Sequence, residues 1–168
     1  MCSQVEDKVE KTVKDSLTVM TQIVLPRDTN NFGSLYGGKL LDWIDIVGST
    51  VAMRHADNRV VTASIDSLHF LHPIKRGDIV ILTGWINYVG RTSMEIEVNV
   101  EAEDPLTDKR KKTCTAYLTY VAVDKEGNPV PVPRLRLETD DEKLRWKQAI
   151  ERRKVRLEMR KKMLEKSS

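Results

Sequence analysis

Asp45 is a carboxylate in the middle of a stretch that is otherwise almost wholly apolar, two residues after Trp43. Burying a carboxylate without partners is expensive, and desolvation shifts a buried carboxyl toward the range useful to a general base. The bland alternative is a carboxylate satisfied by a neighbouring strand's backbone or by Arg54 or Arg59; Asp42, nearer the polar side, is the weaker candidate. The residue types leave both readings open.

Just upstream, Gly33, Gly38 and Lys39 nearly spell a phosphate-binding loop. Leu40 stands where that loop needs Ser or Thr, a proline-and-asparagine loop precedes it, and later strands follow without crossover helices, so the reading fails. Gly37 and Gly38 instead open a helix, where outward N–H groups suit an anion or a developing oxyanion. Tight packing of the helix start against a strand explains them equally well. His69 and His72 point to opposite faces of an extended strand with nothing to complete a metal site, and His55 sits where a helix C-cap is the ordinary role. There is no Gly-x-Ser-x-Gly elbow, and Cys2 and Cys114 have no spacing that implies a disulfide or zinc.

The elements that must position these groups follow from periodicity. Residues 1–16 read as a loose polar lead-in, and residues 17–24 as a strand with Leu17, Val19, Thr21 and Ile23 on one side. Residues 39–55 form a helix apolar around most of its circumference, because Trp43 and Ile46 extend the face of Leu40, Leu41, Ile44, Val47 and Val51; such a helix belongs in the centre of a fold. Strands follow at 60–71, 79–89, 93–101 and 112–123, with Gly84 marking a bulge or close approach and Glu95, Glu97, Asn99 and Glu101 forming an acidic solvent face. The proline-punctuated residues 130–137 cannot be a central strand, and Thr139 with Glu142 spells a capping box that starts a last helix. The fold class is α+β: an antiparallel sheet of about five strands with one long central helix and a C-terminal helix. One helix covers one face only, so self-association is expected.

The chain has 168 residues, 40% hydrophobic and 32% charged, which fits one domain with a tail. No run of about 18 apolar residues occurs, so a soluble cytoplasmic protein is expected. The net charge of +3 is unevenly spread: residues 151–166 carry 8 basic and 3 acidic side chains. With Glu151, Glu158 and Glu165 interleaved and no aromatic after Trp146, this reads as a solvated helical face and not as a nucleic-acid site.

Four separated motifs carry a resemblance. Asp28-Thr29-Asn30-Asn31-Phe32-Gly33-Ser34-Leu35-Tyr36-Gly37-Gly38-Lys39-Leu40-Leu41-Asp42-Trp43-Ile44-Asp45, Val61-Thr62-Ala63-Ser64-Ile65-Asp66, Arg91-Thr92-Ser93-Met94-Glu95-Ile96 and Pro131-Val132-Pro133 resemble the hotdog-fold acyl-CoA thioesterases of the cytosolic long-chain acyl-CoA hydrolase type. The likeness runs over residues 17–147; the domain is bounded as 17–137, between the lead-in at 1–16 and a basic helix at 138–168. It implies a sheet wrapped round the central helix, subunits joined edge to edge, and a trimer of such dimers. The implied reaction is hydrolysis of acyl-CoA to fatty acid and CoA without metal or organic cofactor.

The family's asparagine falls on Asn30 and its helix carboxylate on Asp45, drawn from different subunits, so a homodimer has two equivalent sites. The resemblance then implies that the Gly38 N–H holds the thioester carbonyl, Asp45 acts as general base or nucleophile, and Asn30 orients water or carbonyl. Thr62, Ala63 and Ser64 and the turn of Gly90, Arg91, Thr92 and Ser93 resemble segments that contact pantetheine and phosphates. Arg91 leads as phosphate partner, with Lys75, Arg76 or residues 109–112 as substitutes. Leu68, Phe70 and Trp85 are candidates to shape an acyl tunnel. A non-catalytic acyl-CoA- or nucleotide-binding hotdog module is the alternative, against which the presence of both Asn30 and Asp45 counts; a dehydratase would want a histidine between Arg27 and Trp43, where none lies.

Overall fold

Alternating runs make strands and the all-round apolar run makes a helix, and the computed structural model, which describes residues 9–166, shows how they meet. In chain order the elements are β1 (Glu10–Thr12), a helical turn α1 (Val13–Ser16), β2 (Thr18–Ile23), α2 (Gly37–Ala56), β3 (Arg59–Ile65), β4 (Ile79–Val89), β5 (Ser93–Asp104), β6 (Lys109–Val123), β7 (Arg134–Arg136) and α3 (Asp140–Lys166). Five strands form a curled antiparallel sheet in the order β2-β4-β5-β6-β3 around α2, the hotdog arrangement. Leu40, Ile44, Val47 and Val51 of α2 bury against Leu82, Ile86, Met94, Ile96, Val98 and Leu118 of the sheet. Gly84 permits this close approach: a Cβ there would stand 2.7 Å from Val47 and 3.0 Å from Val51. The β4 register shift lies elsewhere, between Ile86 and Tyr88.

Several expectations change. Cys2 and residues 1–8 of the lead-in lie outside the described residues, but residues 10–16 are ordered: β1 pairs in parallel with β7, and Val13 and Ser16 of α1 are buried. A polar composition hid this, because a two-strand pairing needs only backbone partners and one buried valine. The strand expected over 60–71 ends at Ile65; beyond it only the N–H groups of Asp66 and Leu71 reach β6, at the carbonyls of Tyr117 and Thr113. His55 is not the cap of α2. Asp57, with φ 48°, takes that place and donates its N–H to the Met53 carbonyl.

The capping box of α3 forms as expected: the Glu142 N–H donates to Thr139 Oγ1 at 3.1 Å, and Glu142 Oε2 accepts from the Thr139 and Glu138 N–H groups. What α3 covers was not expected. It lies on the outer face of the sheet, with Trp146 packed on Tyr88 at 4.5 Å between ring centroids and Arg152 over Tyr117 at 3.8 Å. The acidic face of β5 is therefore not solvated at Glu95 and Glu97, which are buried. Glu95 accepts from Arg152 at 2.7 Å and Arg156 at 3.0 Å, and Arg156 also reaches Asp66 at 3.1 Å. No described helix is long and apolar enough to cross a membrane.

Candidate active site

Asp45 lies in the third turn of α2, on the side that faces the β6–β3 margin of the sheet. Its Oδ1 accepts from the Thr62 hydroxyl at 3.0 Å and from the Tyr120 hydroxyl at 2.8 Å. Neither Arg54 nor Arg59 is a partner: Arg54 donates to the Leu17 carbonyl and to Thr18. Among the described residues no hydrogen bond reaches Oδ2, and the carboxylate is half-buried. Strand register explains the pair of hydroxyls, since Thr62 stands directly opposite Tyr120. Next along β3 the pairing steps to Ser64 opposite Thr119 and Ile65 opposite Leu118, so Ala63 is the extra residue of a bulge. Of Thr62, Ala63 and Ser64, then, the structure brings Thr62 to the carboxylate.

Sequence reasoning passed over Tyr120. It sits among the buried alternating residues Cys114, Ala116, Leu118 and Ala122 of β6, and burial followed by the Asp45 carboxylate pushes its phenol pKa up. Room for the hydroxyl comes from Gly48, one turn after Asp45 on α2; a Cβ there would overlap the Tyr120 oxygen. A hydroxyl on the core face of a strand must find a partner, and that was the legible signal.

Asn30 occupies the loop before α2. Its Oδ1 accepts from the N–H groups of Phe32 at 2.9 Å and Ser34 at 3.2 Å, while Gly33, with φ 77°, turns the chain between them. Two backbone donors on one side-chain atom fix that atom as oxygen, so the amide NH2 is the group Asn30 can offer a ligand. No hydrogen bond joins Asn30 to Asp45 among the described residues. Gly38 is exposed in the first turn of α2, which has no side-chain cap, and helix geometry leaves its N–H without an intrahelical acceptor. A packing reason exists too, though not against a strand: a Cβ on Gly38 would stand 2.7 Å from the exposed Tyr36 ring.

The turn of Gly90, Arg91, Thr92 and Ser93 closes through the Gly90 N–H to the Ser93 carbonyl at 2.8 Å. The Arg91 and Thr92 carbonyls accept from Val132 and Ala122, which ties the turn to the segment before β7 and to the end of β6. Ser93 pairs with Val121, and Val121 with Val61, so the turn lies at the end of the sheet that carries Thr62 and Tyr120. Exposed Arg91 lines a cleft of about 360 Å³ with Arg134, Pro133 and Trp146. A second cleft of about 220 Å³ runs between Gly37 and Leu40 of α2 and Phe70, His72 and Ile74. Trp85, expected near an acyl tunnel, instead faces α3, where Arg145 lies 5.4 Å over its ring. Among the described residues no His, Cys, Asp and Glu are clustered to hold a metal ion.

A carboxylate anchored on a central helix, in a curled sheet with an open edge, belongs to a recognised class of enzyme. The family model of the Thioesterase superfamily matches residues 32–109. YkhA of Bacillus subtilis, an uncharacterized acyl-CoA thioester hydrolase, is 45% identical over 139 residues, 83% of this chain and 81% of its own. The rat cytosolic acyl coenzyme A thioester hydrolase is 39% identical over 140 residues, 82% of this chain but only 36% of its own. Among solved structures, a hexameric acyl-CoA thioesterase superposes with a TM-score of 0.86 at 42% identity, covering 90% of this chain and 97% of the other. The Staphylococcus aureus acyl-CoA hydrolase, bound to butyryl-CoA, CoA and CoA disulfide, gives 0.84 at 39% identity over 93% and 97%. Structures of that hydrolase with alanine for an asparagine, an aspartate and a threonine also match; those positions are separated by 15 and 17 residues. This chain belongs to the hotdog thioesterase superfamily. Within it, it is an acyl-CoA thioester hydrolase.

Proposed function

We propose that the chain hydrolyses fatty acyl-CoA to free fatty acid and CoA at a site shared by two copies, with Asp45 from one and Asn30 from the other. The observation that carries this is the one-sided anchoring of Asp45: Thr62 and Tyr120 both engage Oδ1, leaving Oδ2 to take a proton from water or to attack the thioester carbon. The separations of 15 and 17 residues in the S. aureus variants are those between Asn30, Asp45 and Thr62 here, which supports the same set of groups.

With its Oδ1 already engaged, Asn30 serves as a donor, toward the thioester oxygen or the incoming water. The Gly38 N–H at the start of α2 donates to the oxygen as charge develops on it. Water adds to the carbonyl carbon, the C–S bond breaks, and the CoA thiolate leaves to be protonated. Thioesters are activated acyl groups, so metal and organic cofactor are not called on. Arg91, now joined by Arg134 and Trp146 around one cleft, is the proposed partner of the CoA phosphates, and the cleft beside Phe70 is the proposed entry for the acyl chain. Two copies joined along β3 and assembled further into a hexamer, in the cytoplasm, complete the reading, supported by the hexameric neighbour and the cytosolic rat relative.

The test is release of free thiol from acyl-CoAs of graded chain length. Asp45→Asn should lower kcat by about 10²–10⁴-fold, the usual worth of a positioned acid–base group, with the assembly unchanged in size. Wild-type turnover in that variant would overturn the assignment of Asp45.

A further inference from the structure

We propose that Tyr120 is a positioning residue for thioester hydrolysis, its hydroxyl holding the Asp45 carboxylate in the one rotamer that presents Oδ2 to the reacting centre. The proposal rests on the reading of Asp45 as the reacting carboxylate.

Three features of the fold converge on this hydroxyl. Thr62, the other donor to Oδ1, stands on β3, which pairs on one side only within the chain and is interrupted by a bulge next to it, whereas Tyr120 comes from β6, hydrogen-bonded on both sides within the chain and fully buried. The rigid end of the pair is therefore the tyrosine. Its hydroxyl lies 2.8 Å from Oδ1 and 3.2 Å from the main-chain carbonyl oxygen of the same residue, so it registers the side chain against its own backbone. Gly48 then leaves the hydroxyl the volume it needs on the helix surface. A phenylalanine would fill the same core space. The added oxygen brings a polar group into an apolar row, a cost offset by its bond to Asp45 and by the neighbouring Thr62 hydroxyl.

Burial and the adjacent carboxylate both favour the neutral phenol, so Tyr120 remains a donor wherever an ordinary phenol is protonated. It neither gives up its proton nor touches the substrate. A carboxylate free to swing would present either oxygen, and misplacement of a reacting group by about 1 Å costs up to 10²-fold in rate.

Tyr120→Phe, assayed by thiol release, should lower kcat about 10-fold while KM for acyl-CoA changes by less than about 2-fold, in a protein of unchanged size and near-native melting. A merely structural tyrosine would alter melting and leave kcat. Gly48→Ala, which crowds the hydroxyl without deleting it, should lower kcat with the same split, and it carries the test if Tyr120→Phe does not fold. In the Asp45→Asn background, Tyr120→Phe should change the residual rate by less than about 2-fold, because the two residues act as one unit. Wild-type kcat in Tyr120→Phe, or an equal fall in both backgrounds, would overturn the role of Tyr120. An inactive Asp45→Asn beside a normal Tyr120→Phe removes only this proposal, whereas a fully active Asp45→Asn removes the reading beneath it as well.

Discussion

His55 shows how one buried side chain ties α2 to the segment that leads into β7. Its Nε2 stands 2.9 Å from the Pro133 carbonyl oxygen, which only accepts, so the neutral ring carries its proton there. Desolvation lowers its pKa from 6.5, reinforced by Lys11 and opposed by the Pro133 bond, Asp57 and Asp15. The unfolded chain then binds the proton first as pH falls. Stability from this group is intact above about pH 6.5 and is lost below it, with a limiting slope of about 1.4 kcal/mol per pH unit down to the folded pKa. Urea unfolding at pH 7.5 and 5.5 should show this fall in the wild type and a smaller one in His55→Gln; equal falls would contradict it. At this scale the sequence disclosed Asp45, because a carboxylate on an apolar helix stands out, but not its partners. Thr62 and Tyr120 meet it only through strand register, which periodicity does not specify, and the amide oxygen of Asn30 is taken up by a turn formed within five residues.

The elements were easier to read than their contacts. Alternation located β4, β5 and β6, and the Thr139 and Glu142 pair marked the start of α3, since these are local effects. Alternation distinguishes two faces of a strand but does not say what covers the second one, which is why Glu95 and Glu97 looked solvent-facing. Glu95 is 1% exposed and depends on two guanidinium groups from one helix, Arg152 and Arg156. Removing both would strand a buried carboxylate, and breaking such a group typically costs about 3–5 kcal/mol. Arg152→Ala with Arg156→Ala should therefore destabilise the fold by that amount in chemical unfolding, and adding Glu95→Leu should return much of it. If the paired arginine variant unfolds like the wild type, the ion cluster does not fasten α3 to the sheet.

Of the apolar areas left uncovered among the described residues, two lie at opposite margins of one sheet. Along one, Val61 and Ile65 of β3 are 49% and 39% exposed, and Ile46 of α2, beside Asp45, is 46% exposed. Along the other, Val19 and Ile23 of β2 are each 57% exposed: the apolar side of that strand faces outward, while Thr18, Met20 and Gln22 turn inward. Ile46, which extends the apolar face of the central helix, is thus left uncovered within one copy. A two-fold contact uses one self-complementary patch, so a second, distant patch allows dimers to close into a larger assembly. The β3 margin lies beside Asp45, where the proposed shared site needs a contact that brings in the partner's asparagine; the β2 margin lies away from the site. Ile23→Asp should therefore reduce the assembly to active dimers, and Val61→Lys should yield inactive monomers, as read by light scattering after gel filtration together with thiol release. The reverse pattern would exchange the two interfaces, and an active monomer from Val61→Lys would mean that one copy completes the site by itself.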